Sequence, residues 1–259
     1  MARPSLLEQT MRATDAASAN VGGEGAGPRC RAIARGRRQW RRSLARSLAP
    51  RRLIMAAYFA AHPDHAFLFA FGCFACCILE FGGLDHLISN AGIFSSSSLL
   101  ENIDDLKWEK DIKINLTSHH KVLRESIPYL KLGINPTIVF VGSRNVGAPG
   151  PGAGTYTVSK SGLSQMARLA AIELSKHKIR VNIVHPDSVY DTNVWTDKVL
   201  IERANNYSIS VEEYKKRNLL KTSVGSKDVA ELVSFLSSKK SNKTTGAQIP
   251  IDGGNERII

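Results

Sequence analysis

The sequence predicts an α/β protein: a doubly wound parallel sheet whose N-terminal strands are missing or replaced. Three observations carry this. From about residue 78, short β-branched apolar runs alternate with longer segments of helical period. Strand ends run into Asn, Gly or Pro turns. The chain has 259 residues, 43% of them hydrophobic, which is enough for one large core.

The elements follow in order. Residues 84–89 (LDHLIS) form a short strand ending at Asn90-Ala91-Gly92. Residues 103–130 have helical period, with Leu106, Trp108, Ile112, Ile114, Leu116, Val122, Leu123 and Ile127 on the apolar face. Residues 136–141 (PTIVFV) are β-branched enough for a strand. A second helix is predicted over 156–176, with Leu163, Met166, Ala167, Ala170 and Ile172 at core spacing. Strand 179–184 (IRVNIV), short helices over 211–218 and 229–236, and strand 248–251 complete the pattern. Strands alternating with helices of this length imply right-handed βαβ units, with helices on both faces of the sheet.

Residues 1–77 differ from the rest. Residues 1–80 hold 12 Arg, no Lys and 5 acids, whereas 81–259 hold 7 Arg, 16 Lys and 18 acids. The net charge of +12 therefore mixes two unlike segments. Ten Arg fall between Arg29 and Arg52. This run reads as an unstructured extension, with a targeting presequence or an anionic-partner arm as alternatives. Nucleic acid is disfavoured, because no aromatics interleave the arginines. The apolar run 66–79 has 14 residues, short of the roughly 20 that span a bilayer, so membrane insertion is disfavoured. His62-x-x-His65 and Cys73-x-x-Cys76 have a formal zinc spacing but sit among Phe and Ala, so no metal is expected. Four cysteines, all within 1–77, suit a reducing compartment, and the cytoplasm is the expected location.

The chemistry-bearing residues lie after residue 90. Tyr156 and Lys160 stand one helical turn apart and share a face. A tyrosinate base at neutral pH needs roughly 3 units of pKa depression, about 4 kcal/mol of preference for the anion. A neighbouring ammonium can supply much of that. Ser143 ends a strand at its C-terminal edge, where open α/β sheets bind ligands, and can hold a substrate oxygen against Tyr156. Asn90-Ala91-Gly92 lets backbone approach a bound group closely.

Asn90-Ala91-Gly92 after a strand, Asn115 in the next helix, Ser143 after the next strand and Tyr156-x-x-x-Lys160 opening the next helix resemble the short-chain dehydrogenase/reductase family. The interval of 13 between Ser143 and Tyr156 matches as well. The resemblance spans about 78–259 and implies a Rossmann-like fold and an NAD- or NADP-dependent oxidoreductase, NAD favoured, acting on a small alcohol or carbonyl. It implies a catalytic set of Asn115, Ser143, Tyr156 and Lys160. Lys160 would also reach the nicotinamide ribose, and Asn115 would bend its helix. Cofactor contacts are implied for Asn90, Ala91, Gly92, Tyr156, Lys160, Pro186 and Val189, and the assembly for a homo-oligomer built on the two long helices. Pro186 to Thr192, Trp195, 211–218, Lys243-Thr244-Thr245-Gly246 and Asp252 to Arg257 are similar to the dehydrogenase half of bifunctional rhamnulose-phosphate aldolase/alcohol dehydrogenases, enzymes of carbohydrate metabolism. That similarity points to a lactaldehyde-like hydroxy-aldehyde.

One part of the family pattern is not found. The Thr-Gly-x-x-x-Gly-x-Gly loop that takes the cofactor diphosphate at a helix N-terminus has no counterpart. Gly22 to Gly27 follows no apolar strand, and Thr245-Gly246 opens a strand rather than a helix. Two alternatives stay open: a non-catalytic remnant without the cofactor cradle, or an Arg-rich protein associated with membrane or nucleic acid.

Overall fold

The structure, a computed structural model, describes residues 53–56, 82–95, 97–192, 195–205 and 207–254, with backbone placement alone at 53–56. The Arg-rich run, the His/Cys pairs and the apolar run 66–79 lie outside these residues.

Among the described residues, five parallel strands form one sheet in the order β1-β2-β3-β4-β5: Leu53–Ala56, His86–Ser89, Thr137–Val141, Arg180–Pro186 and Gln248–Ile251. The sequence pattern had not marked the first. Leu53–Ala56 pairs in parallel with His86–Ser89 and supplies a strand from within the N-terminal segment. β2 and β3 are buried along their whole length, as expected of central parallel strands covered on both faces.

The helices are α1 (Asp105–Ile112), α2 (Ser118–Leu130), α3 (Gly154–Leu174), α4 (Asp197–Asn205), α5 (Val211–Lys215) and α6 (Ser226–Ser237). The predicted helix over 103–130 is two helices joined by a π-turn, Lys113–Thr117. Helix α4 carried no clear apolar period and was not foreseen.

Alternate residues along each strand face opposite sides. Leu87, Ile138, Phe140, Val181 and Ile183 pack with Val122 and Leu123 of α2 and Leu163 and Ala167 of α3. Ile88, Val139, Val141 and Val184 pack with Val229, Val233 and Leu236 of α6. The crossovers β2–β3, β3–β4 and β4–β5 all step the same way across the sheet, yet α6 lies on the face opposite to α2 and α3. The β4–β5 connection therefore has the opposite hand to the other two, and uniformly right-handed units are not what the chain builds. Without α6 there, the apolar side chains of the second face would lose their cover. Arg180 holds α6 in place by donating to the Leu236 carbonyl (2.9 Å) and the Ser238 carbonyl (3.1 Å) at the helix end.

Some predicted core residues face outward. Leu106 is 79% exposed and Ile172 72%, and Trp108 is also exposed. Helical spacing fixes which residues share a stripe but not how wide the buried stripe is. No described helix is long and apolar enough to cross a membrane.

The α2–β3 turn depends on a close approach. A Cβ on Gly133 would stand 2.5 Å from the Leu84 carbonyl oxygen, which is backbone and cannot swing away. Asp85 ties the same turn by accepting from the Ile134 amide at 2.6 Å. Gly133→Ala is expected to cost about 1–3 kcal/mol in urea denaturation. Gly150→Ala, with nothing within 4 Å, is expected to be neutral.

Candidate active site

The C-terminal ends of β2, β3 and β4 open into a cavity of about 370 Å³. Asn90, Gly92, Ser143, Tyr156, Lys160, Pro186 and Val189 all line it. Seven of the residues singled out in the sequence thus meet in one place. Ala91 and Asn115 do not line it; both are buried behind its wall.

Lys160 is buried, and its ammonium donates to the Val141 carbonyl at the end of β3 (2.9 Å). It stands 5.8 Å from the centre of the Tyr156 ring. Ser143 lines the same cavity, its side chain near enough to the Tyr156 hydroxyl to favour the ionised form. Phe94 packs edge-on against Tyr156, with ring centres 5.1 Å apart.

The electrostatics differ from the expectation. Burial pushes the Tyr156 hydroxyl above its ordinary pKa, and the nearby Ser143 side chain only partly offsets this. Burial likewise pulls Lys160 down to about 8. The anticipated depression of Tyr156 by Lys160 is therefore not what this arrangement produces, because loss of solvent penalises both charged forms. At neutral pH Tyr156 is therefore a phenol.

Asn115 sits in the π-turn, where its amide oxygen accepts from the Ile93 amide (2.8 Å) and its amide nitrogen donates to the Ile93 carbonyl (3.0 Å). It pins the backbone that follows Gly92. A Cβ on Gly92 would come 3.3 Å from Lys160 Nζ and 3.5 Å from Asn115 Oδ1, so the glycine keeps this corner open.

Two histidines escaped the sequence reading. His119 Nε2 donates to the Ala91 carbonyl (2.8 Å), leaving Nδ1 to accept from the Ser89 hydroxyl (2.6 Å). It locks the turn at the end of β2 from behind. His185 Nε2 lies 2.8 Å from Gln248 Oε1, and its Nδ1 lies 3.0 Å from the Ser143 carbonyl oxygen and 3.3 Å from the Ser143 amide. A Cβ on Gly142 would fall 2.6 Å from that ring, so the glycine before Ser143 makes room for the brace. In the sequence His119 stood in the polar run Thr117 to Lys121 and His185 near the end of a strand, with nothing to mark a partner for either.

No group of three or more potential metal-ligating side chains occurs among the described residues.

Comparison with known proteins places this geometry. A family model described as enoyl-(acyl carrier protein) reductase matches residues 72–256. The uncharacterized oxidoreductase YuxG of Bacillus subtilis (strain 168) is 36% identical over 183 residues, which are 68% of this chain and 26% of that protein. The chain thus spans about a quarter of YuxG. The short chain dehydrogenase adrF of Penicillium rubens is 31% identical over 183 residues, covering 68% of this chain and 70% of that one. The crystal structure of carveol dehydrogenase from Mycobacterium avium in complex with NAD superposes with a TM-score of 0.66 at 28% identity, covering 74% of this chain and 71% of that one.

Burial pulls His119 down to about 3, with Lys160 adding to the shift. Its ordinary pKa is about 6.5. Between those values the unfolded chain binds a proton that the native protein does not, so this residue's contribution to stability falls as pH drops from about 6.5 toward 3. The slope is about 1.4 kcal/mol per pH unit. Denaturation over that range should show this slope in the wild type and lack it in His119→Gln. Equal slopes in the two proteins would exclude a neutral, buried His119.

Proposed function

The chain belongs to the short-chain dehydrogenase/reductase family, and on that premise we propose that it is a nicotinamide-dependent oxidoreductase of a small alcohol or carbonyl compound. The observation that carries this reading is the convergence of Ser143, Tyr156 and Lys160 on one cavity, with the buried Lys160 ammonium 5.8 Å from the centre of the Tyr156 ring. In this reading Ser143 holds the carbonyl oxygen and Tyr156 donates a proton to that oxygen. Lys160 keeps positive charge under the pair, anchored on the Val141 carbonyl. Asn115 acts on the backbone at Ile93 rather than on substrate.

The described residues fit the nicotinamide end of the cofactor. Gly92 leaves space beside Lys160 and Asn115 that a Cβ would fill. Asn90, Gly92, Lys160, Pro186 and Val189 all line the cavity. When bound there, the reduced nicotinamide supplies the hydride to the carbonyl carbon. NAD is favoured over NADP, in keeping with the NAD-bound carveol dehydrogenase. The diphosphate end is another matter: from Leu53 to Phe71 the sequence has no glycine.

The finer assignment is a lactaldehyde-like hydroxy-aldehyde, supported by the similarity of the segment after Pro186 to the dehydrogenase half of bifunctional rhamnulose-phosphate aldolase/alcohol dehydrogenases. The match to only 26% of YuxG is in keeping with a relative that carries a further part. We also propose a domain starting near residue 78 that draws β1 from the preceding segment, a cytoplasmic location, and a homo-oligomer using the exposed Val158, Leu169 and Ile172 of α3.

Reduction of a short hydroxy-aldehyde with NADH tests the reading. Tyr156→Phe should lower the rate about 10²–10⁴-fold. The wild-type rate should fall as pH rises past about 8, where Lys160 loses its charge. An unchanged rate in Tyr156→Phe removes the assignment.

A second reading, a remnant that binds cofactor poorly, is favoured by the missing glycine loop. Each amide bond to a phosphate contributes roughly 1.5–3 kcal/mol, so losing two weakens binding about a hundredfold to ten-thousandfold. Fluorescence titration of the full chain with NADH should therefore give weak binding. Low-micromolar affinity would mean that the chain builds a cradle by another route.

A further inference from the structure

Along β4, Val181 and Ile183 face the core beneath α3, and the next residue on that face is His185. Its ring is buried. An aliphatic side chain would continue the apolar row, whereas a buried imidazole needs partners for both nitrogens. It finds them at opposite ends. Nε2 lies 2.8 Å from Gln248 Oε1 on β5, and Nδ1 meets the Ser143 backbone just past β3. One side chain thus joins three strands at the level of the cavity.

The main chain cannot do this alone. The Gly142 amide still reaches the Val184 carbonyl (2.8 Å). The next β4 residue turned toward β3 is Pro186, which has no N–H, so the ladder cannot go on as it began. The Ser143 backbone meets the histidine ring instead.

Burial keeps the pKa of the ring below its ordinary value, so near pH 7 it is neutral and carries one hydrogen. Either placement of that hydrogen closes the chain of contacts, because the Gln248 amide can turn to match it. On Nε2 it is donated to Gln248 Oε1, and Nδ1 accepts from the Ser143 amide. On Nδ1 it is donated to the Ser143 carbonyl, and the Gln248 amide nitrogen, otherwise buried without a partner, turns to donate to Nε2. Both arrangements hold the backbone of Ser143.

That backbone decides where the hydroxyl stands. Ser143 Oγ accepts from the Asn145 amide (3.2 Å), which leaves the hydroxyl hydrogen for an acceptor in the cavity. A reacting group misplaced by about 1 Å can cost about a hundredfold in rate.

We infer that His185 and Gln248 are positioning residues: acting in series on the Ser143 backbone, they set where the Ser143 hydroxyl meets the substrate oxygen. Neither lines the cavity, so neither touches the substrate itself. The inference rests on the role proposed above for Ser143.

Residue-resolved hydrogen exchange of the full chain tests the positioning without turnover. The Asn145 amide, which donates to the Ser143 hydroxyl, reports where that hydroxyl stands. In His185→Leu it should exchange about tenfold faster, while the Val139 amide in mid-β3 keeps its protection. His185→Asn, whose side-chain amide can stand where Nδ1 stands, should restore most of the loss. Gln248→Leu should give a smaller effect at Asn145, and it carries the test if circular dichroism shows that His185→Leu does not fold. Unchanged exchange at Asn145, or an equal loss at Val139, overturns the proposal. Reduction of lactaldehyde by NADH gives a second readout. His185→Leu should lower kcat about 10–100-fold with the KM for NADH little changed. In a Ser143→Ala background the same substitution should cost less than about threefold, because its effect passes through the lost hydroxyl. An equal cost in both backgrounds overturns the proposal, as does a full rate in His185→Leu beside a slow Ser143→Ala. A full rate in Ser143→Ala removes the role of Ser143, and this inference with it. Where turnover is too slow to read, the Asn145 exchange decides.

Discussion

A buried ammonium must find an acceptor, and Lys160 finds one in the carbonyl of Val141, where β3 ends. The site depends on that contact. It fixes the first turns of α3 against the sheet edge and so sets where Tyr156 stands relative to Ser143, two residues beyond Val141. The same ammonium borders Gly92 and the Asn115 side chain, which brings the ends of β2 and β3 to one point. Burial without a carboxylate partner costs Lys160 part of its basicity. A charge held with its pKa near 8 is sensitive to any change in its surroundings.

The backbone around this point is braced by side chains that do not line the cavity. Asn115 pins Ile93, His119 ties Ser89 to Ala91, and His185 spans from Ser143 to Gln248. Catalytic geometry needs positions held to fractions of an ångström, and strand ends alone are free to splay. The π-turn belongs to this scheme. It interrupts the α1–α2 helix where Asn115 must reach back toward β2, in keeping with the concentration of such turns at functional sites.

The far side of the cavity is built differently. It comes from the long β4–β5 connection, which supplies Trp195, Tyr207 and Tyr214 before α6 crosses to the second face. The opposite hand of this crossover is what allows it. The chain passes over the C-terminal edge of the sheet on its way between faces, and its short helices α4 and α5 form a wall above Ser143. The sheet edge thus fixes the chemistry, and the connection shapes what reaches it.

The sequence by itself determined the strand and helix alternation, the positions of β2 to β5 within two residues, and the set Ser143, Tyr156 and Lys160. These are local properties. Period-2 and period-3.6 patterns, and a one-turn spacing between two side chains, can be read within a short window. The outward turn of Leu106, Trp108 and Ile172 was not legible, because an apolar period does not say how much of a helix the sheet will cover. Neither was the pairing of Leu53–Ala56 with β2, which joins residues more than thirty positions apart and leaves no mark on either segment. His119 and His185 were equally silent. A lone histidine in an apolar strand looks the same whether or not a backbone amide waits beside it. Only the tertiary structure decided which groups lose water together. That shared desolvation raises Tyr156 and lowers Lys160.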